Sequence, residues 1–216
     1  MIKCIVTLVL ASTTCVSAYG KFESGEEPLL ASARSASVVG QDNRPLPPKT
    51  EIHIGSQCVR KYPNLGGNKN EERVAKVLRV AGVYIDEAAA KHRIDCRLIT
   101  AIIATESGGE RTESEMIRAV SPTGARGLMQ LLPSTARGLG AHTDGHDLYD
   151  PELNVHYGTK YFKQLLRSTH SLPHALLAYN QGPGRLNTLI ANGADPRSYA
   201  YVRSVQSYAR VLGYEV

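Results

Sequence analysis

Apolar residues recur at helical spacing through most of the chain after about residue 70. Over residues 71–91 the apolar positions that share one helix face are Val74, Val77, Leu78, Ala81, Tyr84, Ile85 and Ala88. The same period, with prolines and glycines at several ends, predicts helices over residues 133–137, 151–167, 173–179, 185–191 and 198–212. No alternating run bounded by turns predicts a strand. The sequence therefore predicts a single all-α domain over residues 70–216.

A further helix is predicted over residues 97–107, with one apolar stripe. The stripe consists of Leu98, Ile99, Ile102 and Ile103, and the opposite face is expected to carry Arg97, Thr100, Ala101 and Ala104. Asp95 has a side chain that is typical of an N-cap. Gly108 and Gly109 follow directly and are expected to end the helix.

Glu106 lies on the apolar side of this predicted helix. It follows Ile102 by four residues and Ile103 by three, so its carboxyl group leaves the helix from the stripe. Loss of water and the negative end of the helix dipole both disfavour the ionised form, and both raise the pKa. A glutamic acid that keeps its proton near neutral pH is suited to general acid catalysis. The structural alternative is that Glu106 caps a local turn or reaches solvent.

The N-terminal part of the chain has the features of a secretory signal followed by a tether. Residues 1–18 combine Lys3, a short apolar run over 5–10 and small residues at 16–18. Thr14 before Cys15 fits lipoprotein processing poorly, which favours plain secretion. Residues 19–69 contain many Ser, Ala and Pro residues and predict a flexible, extended tether, with packing on the domain through Cys58 as the alternative for residues 51–70. We therefore expect a periplasmic or secreted protein without stable membrane insertion.

Cysteine use fits this compartment. Removal of the signal leaves Cys58 and Cys96, and two thiols in an oxidising compartment favour one disulfide. The alternatives are two free thiols, or a Cys96 that serves only as a small buried apolar residue.

Charge and histidine spacing argue against two other classes of function. The formal net charge is +5, without a run of five or more like charges, which does not favour nucleic acid as a partner. His142 and His146 are four residues apart, as are His170 and His174, but Gly145 or Pro173 lies between the members of each pair. No metal ion and no cofactor is therefore expected.

Two glycine-containing segments carry polar side chains that suit a sugar ligand. In residues 121–131 the glycines allow close approach of the backbone, and Gln130 offers both donors and acceptors. In residues 178–184 Tyr179 and Asn180 precede a glycine-rich turn. Each segment by itself also has a structural interpretation, as a tight turn or as a buried tyrosine at a helix end.

The order of the motifs is more specific than any one of them. The chain contains, in order, Glu106-Ser107, the run 121–131, Asn154-x3-Gly158-x2-Tyr161, the run 178–184 and Tyr201-Val202. From about residue 83 to the C-terminus it resembles the soluble lytic transglycosylase domain of bacteria, a lysozyme-like all-α fold related to goose-type lysozyme. The resemblance implies that Glu106 is the catalytic acid and base. It also implies that the glycan cleft is lined by Ser121, Gln130, Tyr179, Asn180 and Tyr201.

The resemblance implies an activity on peptidoglycan glycan strands. Such enzymes cleave the β-1,4 bond between N-acetylmuramic acid and N-acetylglucosamine and leave a 1,6-anhydro ring, with one glutamate acting as acid and then as base. We expect a monomer without a cofactor. The alternatives are a hydrolytic lysozyme, a non-catalytic glycan-binding module, or an accessory wall-opening component of an envelope-spanning secretion, conjugation or pilus machine.

The chain departs from the family pattern after its Glu-Ser pair. Gly108-Gly109 stands where the family usually has an aromatic residue, and the segment between Ser107 and Ser121 is longer than usual. This segment adds the acids Glu110, Glu113 and Glu115, and we expect it to be polar and flexible. The departure affects the predicted cleft rim and leaves Glu106 unchanged.

Overall fold

The computed structural model describes residues 58, 61–62 and 65–215, and in that part of the chain the regular elements are helical. The α-helices are α1 Lys69–His92, α2 Cys96–Glu106, α3 Glu113–Ile117, α4 Pro133–Gly138, α5 Pro151–Thr169, α6 Leu172–Gln181, α7 Pro183–Ala191 and α8 Ala200–Val211. Two 3-10 helices cover His146–Tyr149 and Pro196–Ser198. The all-α prediction is confirmed. Among the described residues, none of the helices has the length and apolar character needed to cross a bilayer.

The helix ends follow the capping residues in the sequence. Asn68 caps α1, and its side chain accepts hydrogen bonds from the N–H groups of Asn70 and Glu71. The predicted N-cap of α2, Asp95, accepts from the N–H of Arg97 at 2.9 Å. Prolines stand in the first turn of α4, α5, α6 and α7, where the missing N–H has no helical partner to lose. The predicted helices therefore lie within a few residues of the observed ones.

Helix α2 is buried on all sides, which differs from the two-faced helix predicted for it. Every residue from Leu98 to Ala104 is buried, including Thr100, whose hydroxyl donates to the carbonyl of Cys96 at 2.8 Å. The placement of Ala101 and Ala104 on an outer face is therefore wrong. The physical reason is that α1 and α8 both pack against α2, and the alanines allow the helices to approach closely.

The core continues from α2 through the longer helices. Helix α1 packs against α5, α5 packs against α6, and α8 closes the other side of α2. The largest side chains without exposure in this core include Ile85, Ile99, Ile102, Ile103, Met116, Leu128, Met129, Phe162, Leu176 and Leu177. Leu128 and Met129 belong to the glycine-containing run 121–131, so this loop is anchored in the core.

The segment after Ser107 contains a short helix where a flexible stretch was expected. Thr112 and Glu115 form a reciprocal capping box around the start of α3, and Met116 of α3 is fully buried. The Arg79 guanidinium pairs with the Glu113 carboxylate at 3.1 Å, which ties α3 to α1. The expectation of flexibility is wrong for residues 113–117, because the capping box and one core anchor outweigh the polar composition.

A disulfide joins the start of α2 to the chain that precedes α1. The Sγ atoms of Cys58 and Cys96 lie 2.12 Å apart, and the backbone N–H of Cys58 donates to the Asp86 carboxylate at 3.2 Å. Tyr62 and Leu65 pack against the core as well. The chain therefore contacts the domain before residue 70. The predicted signal, 1–18, and the predicted tether as far as residue 57 lie outside the described residues.

Loss of this disulfide is expected to lower stability. The bridge closes a loop of 38 residues, and a crosslink of that span stabilises by about 3–4 kcal/mol in the chain-entropy description. The double variant C58S/C96S should therefore have a lower free energy of unfolding by about that amount in urea titrations. The control is the wild type in reductant, which should resemble the double variant. Equal stability of oxidised and reduced wild type would contradict the prediction.

Candidate active site

Glu106 is the last residue of α2, and its carboxyl group meets the start of α8. The two helices run antiparallel: Arg97 near the start of α2 donates to the carbonyl of Gly213 beyond the end of α8, at 3.0 Å. At the opposite end, the Tyr201 hydroxyl donates to Oε1 of Glu106 at 2.7 Å. Glu106 is partly exposed, so it can reach a ligand in solution. The packing of α2 on α8 therefore creates the Glu106–Tyr201 pair.

The environment of Glu106 favours its protonated form. Burial of the carboxyl group raises its pKa from 4.5 to about 7, and the hydrogen bond from Tyr201 opposes this rise. The apolar spacing of α2 predicts that the Glu106 pKa is raised, and burial is the cause of the rise in the structure. A carboxyl group with this pKa is populated in both protonation states near neutral pH, so it can both give and take a proton.

Tyr179 lies beside the same carboxyl group, near the end of α6. Its hydroxyl donates to the backbone carbonyl of Met129 at 2.8 Å, and its ring packs against Tyr161 and Phe162. Burial raises the pKa of Tyr179 well above 10, and the nearby Glu106 charge adds to this rise. Tyr179 is therefore neutral, and its hydrogen bond and ring contacts hold its side chain in place.

Ser107 and Gly108 fix the turn that follows Glu106. The buried Ser107 hydroxyl donates to the carbonyls of Leu128 at 2.8 Å and Ile103 at 3.3 Å. The N–H of Gly108 donates to Ile103 at 3.1 Å. A Cβ on Gly108 would lie 2.7 Å from the carbonyl oxygen of Ala104, so a larger residue does not fit there. The tight turn after the last helical residue, Glu106, therefore requires a glycine at position 108 for a steric reason.

Ser121 and Gln130 stabilise the loop to which they belong. The Ser121 hydroxyl accepts from the N–H of Ala125 at 3.0 Å. The side-chain amide of Gln130 donates to the carbonyls of Gly127 at 2.9 Å and Ala119 at 3.1 Å. Gln130 itself has a positive φ of 48°, which is uncommon outside glycine. The structure thus gives both side chains contacts within the loop, and their contact with a glycan stays a prediction.

Asn180 is exposed one position beyond Tyr179, where its carbonyl oxygen accepts from the side-chain amide of Gln181 at 2.6 Å. Of the five residues that the resemblance places around the cleft, the structure therefore sets Tyr179 and Tyr201 beside Glu106. It holds Ser121 and Gln130 in the loop and leaves Asn180 at the surface.

Sequence reasoning did not assign a site role to Asn154, which is fully buried in α5. Its side chain accepts from the N–H of Met129 and donates to the carbonyls of Arg126 and Leu148, each at 2.8 Å. Its motif partner Gly158 leaves room for Met129, whose Sδ would lie 2.5 Å from a Cβ at that position. An amide on the apolar face of a helix, four residues before a glycine, was the available signal.

Residues 83–202, more than half of the chain, match the family model described as "Transglycosylase SLT domain". The chain belongs to this family. The matched range begins within α1 and ends within α8, so it includes Glu106, the loop 121–131, Tyr179 and Tyr201.

Curated relatives and a solved structure carry related names. This chain is 36% identical to the transglycosylase of Enterobacteria phage PRD1 over 115 residues. The aligned part is 53% of this chain and 38% of that protein. This chain is 33% identical over 102 residues to the soluble lytic murein transglycosylase of Escherichia coli strain K12, covering 44% of this chain and 16% of that protein. An X-ray structure of an inactive mutant of lytic transglycosylase Slt from Pseudomonas aeruginosa matches with a TM-score of 0.51 and 28% identity, over 61% of this chain and 23% of that one. The chain thus spans less than two fifths of each of these proteins.

Replacing the acid in this SLT domain is expected to stabilise the fold at neutral and higher pH. Because the pKa of Glu106 is about 7 in the fold against 4.5 otherwise, its contribution to stability is fully present below about pH 4.5 and is lost as pH rises through 7. Glu106→Gln does not ionise. The free energy of unfolding of Glu106→Gln relative to wild type should therefore rise by about 3 kcal/mol between pH 4 and pH 8. Denaturant titrations at both pH values check this, and a pH-independent difference would contradict it.

Tyr201→Phe is expected to change the Glu106 pKa in a definite direction. The Tyr201 hydroxyl stabilises the ionised carboxylate, so its removal should raise the pKa of Glu106 above about 7. Carbon-13 NMR of labelled glutamate follows this titration directly. Tyr208→Phe on the same helix is the matched control and should leave the Glu106 titration unchanged. An unchanged Glu106 pKa in Tyr201→Phe would show that the hydroxyl does not act on the carboxylate, and a lower pKa would also contradict the prediction.

Proposed function

We propose that this chain is a peptidoglycan lytic transglycosylase that cleaves the β-1,4 bond between N-acetylmuramic acid and N-acetylglucosamine. The observation that carries the proposal is Glu106, a partly exposed acid whose burial brings its pKa to about 7 inside an SLT domain. The relative from E. coli is named a soluble lytic murein transglycosylase, and the inactive Slt structure from P. aeruginosa carries a glutamate-to-glutamine exchange.

In the first step Glu106 acts as a general acid. Its proton goes to the glycosidic oxygen, the bond from that oxygen to C1 of N-acetylmuramic acid breaks, and the N-acetylglucosamine side leaves with a new hydroxyl. Positive charge then develops at C1, and the N-acetyl group of the same sugar stabilises it. The protonated state that this step needs is the one that burial of Glu106 favours.

In the second step the ionised Glu106 acts as a base. It takes the proton of the sugar's own 6-hydroxyl, the oxygen of that group bonds to C1, and a 1,6-anhydro ring closes. Glu106 is then protonated again and no water has been consumed. The Tyr201 hydroxyl hydrogen-bonds to Glu106 and stabilises the ionised state between the two steps.

A single carboxyl group favours this mechanism over a hydrolytic lysozyme. Retaining and inverting glycosidases place a second carboxylate within about 5–10 Å of the acid. In the described part of the chain, the partly buried Glu106 has Tyr201 as its hydrogen-bond partner, whereas the acids Glu110, Glu113 and Glu115 of the following segment are exposed. Intramolecular attack by the 6-hydroxyl needs no second carboxylate. A lysozyme would also release reducing sugar ends.

We further propose that the glycan runs past the side chains around Glu106. Tyr179 and Tyr201 lie beside the acid, and Asn180 presents an exposed amide next to Tyr179. We add Ser121 and Gln130 to this lining because they belong to the loop whose Leu128 and Met129 carbonyls accept from Ser107 and Tyr179. Aromatic rings and amides at a rim are the groups that sugars use for stacking and hydrogen bonding.

The substrate implies a location outside the cytoplasm. We propose that residues 1–18 direct secretion to the periplasm or beyond, and that the enzyme acts there as a monomer. One relative, from Alkalilimnicola ehrlichii, is named a membrane-bound lytic murein transglycosylase. Service to a secretion, conjugation or pilus machine stays a prediction.

The test is digestion of purified sacculi by residues 19–216, with mass spectrometry of the released ends. Wild type should release anhydro ends, which are lighter than reducing ends by one water. Glu106→Gln should lose at least about 100-fold in rate, because a general acid contributes at least that factor. Glu110→Gln, an exposed acid in the segment after Ser107, is the matched control and should keep wild-type activity.

The same assay is sensitive to pH. Activity should fall as pH rises above about 7, because the acid is then ionised before the first step. Release of reducing ends would replace the proposal by the hydrolytic alternative. Near wild-type activity of Glu106→Gln would show that another group is the acid.

A further inference from the structure

Asn154 uses its whole side-chain amide to hold backbone from outside its own helix. It accepts from the N–H of Met129, and its two N–H groups donate to the carbonyls of Arg126 and Leu148. All three bonds measure 2.8 Å, and the residue has no exposed surface. A side chain of this kind has two donors and one carbonyl acceptor, and each is occupied. Asn154 therefore fixes both ends of the short run 126–129 onto α5.

The backbone held in this way supplies the acceptors next to Glu106. The carbonyl of Leu128 accepts from the Ser107 hydroxyl, and the carbonyl of Met129 accepts from the Tyr179 hydroxyl, both at 2.8 Å. Ser107 adjoins Glu106 in the chain, and the charge of Glu106 acts on Tyr179 and raises its pKa. Two hydrogen-bonded steps thus connect the Asn154 amide with the surroundings of the acid.

The packing leaves this arrangement little freedom. A Cβ on Gly127 would lie 2.4 Å from the Asn154 amide nitrogen and 2.3 Å from the Leu148 carbonyl oxygen. On the other side, Gly158 gives Met129 the room that a Cβ would take. Gln130 is held with a positive φ, which surrounding contacts must maintain. Close packing and the three hydrogen bonds of the Asn154 amide therefore restrict the loop backbone over 126–129.

We propose that Asn154 is a positioning residue for Glu106, which acts by fixing the 126–129 backbone against Ser107 and Tyr179. The inference rests on the proposed role of Glu106 as the acid and adds the residue that maintains its surroundings. Asn154 is buried and acts through the loop, without contact to the glycan.

A definite electrostatic consequence follows. Glu106 keeps its proton because its carboxyl group is removed from water. If the loop is released, water reaches the carboxyl group, and its pKa falls from about 7 toward the ordinary value of 4.5. The enzyme then loses its acid at neutral pH and regains it only in more acidic solution.

The experiment compares Asn154→Ala with Val155→Ala, its neighbour on α5, which is also fully buried in the main core but has no side-chain donor or acceptor for the loop backbone. Both variants should lower the melting temperature. Only Asn154→Ala should lower the pKa of Glu106. Carbon-13 NMR of labelled glutamate, recorded without substrate, measures this pKa. Asn154→Ala should also move the basic limb of the sacculus-digestion profile to lower pH and reduce kcat at pH 7 by about tenfold or more, with a smaller change in KM.

Two further variants keep the test decisive if Asn154→Ala fails to fold. Asn154→Ser leaves room for a water beside the same backbone groups and should show the same shift in weaker form. Tyr179→Phe keeps its ring in place and removes only the bond to Met129, so it should lower the Glu106 pKa as well. A Glu106 pKa near 7 in the folded variants, or equal effects of Asn154→Ala and Val155→Ala, would overturn the proposal.

The titration also separates this inference from the proposed function. It reads the Glu106 carboxyl group in the absence of substrate, so it reports on Asn154 even if Glu106→Gln were to remain active. An inactive Glu106→Gln together with a wild-type titration in Asn154→Ala would retain the proposed function and remove the positioning role.

Discussion

The candidate site depends on the partial burial of one carboxyl group, at the end of a helix whose residues from Leu98 to Ala104 are all buried. Helix α2 is enclosed by α1 and α8, so a side chain at its last residue cannot be fully hydrated. Burial raises the pKa of Glu106 to about 7, while one hydrogen bond from Tyr201 keeps the ionised form accessible. With these two opposing effects, the protonated and the ionised forms of Glu106 are both populated near neutral pH, so the group can donate or accept a proton.

Both ends of α2 are tied to other parts of the chain. At its start, Cys96 is bonded to Cys58, and at its end Ser107 donates to the Leu128 carbonyl. The acid lowers stability at neutral pH, because an ionised carboxylate is poorly solvated in the fold. The disulfide, the core around α2 and the hydrogen bonds of Asn154 offset this cost. Within the loop 121–131, Gln130 has a positive φ of 48°, which surrounding contacts must maintain.

The segment after Ser107 is held on α1 and the core by a short helix of its own. Its helix α3 has its own capping box, and Met116 anchors it in the core. Lys76 of α1 donates to the carbonyl of Arg111 at 2.7 Å, so the segment is bound to α1 at two points. The pattern Thr-x-x-Glu was visible in the sequence. Its polar composition concealed the helix, because a single buried methionine provides most of its apolar contact.

The sequence by itself determined the all-α class, most helix bounds and the position of Glu106 on an apolar side of its helix, because helical periodicity and capping are local properties. Only the tertiary structure decided that α2 is buried all round, since residues such as Thr100 and Ala101 fit either a surface or a close helix contact. It also decided the partners of the acid. Tyr201 lies 95 residues after Glu106, and the Asn154 amide reaches backbone 25 and 28 residues away. Such contacts depend on how helices pack, and no local pattern encodes them.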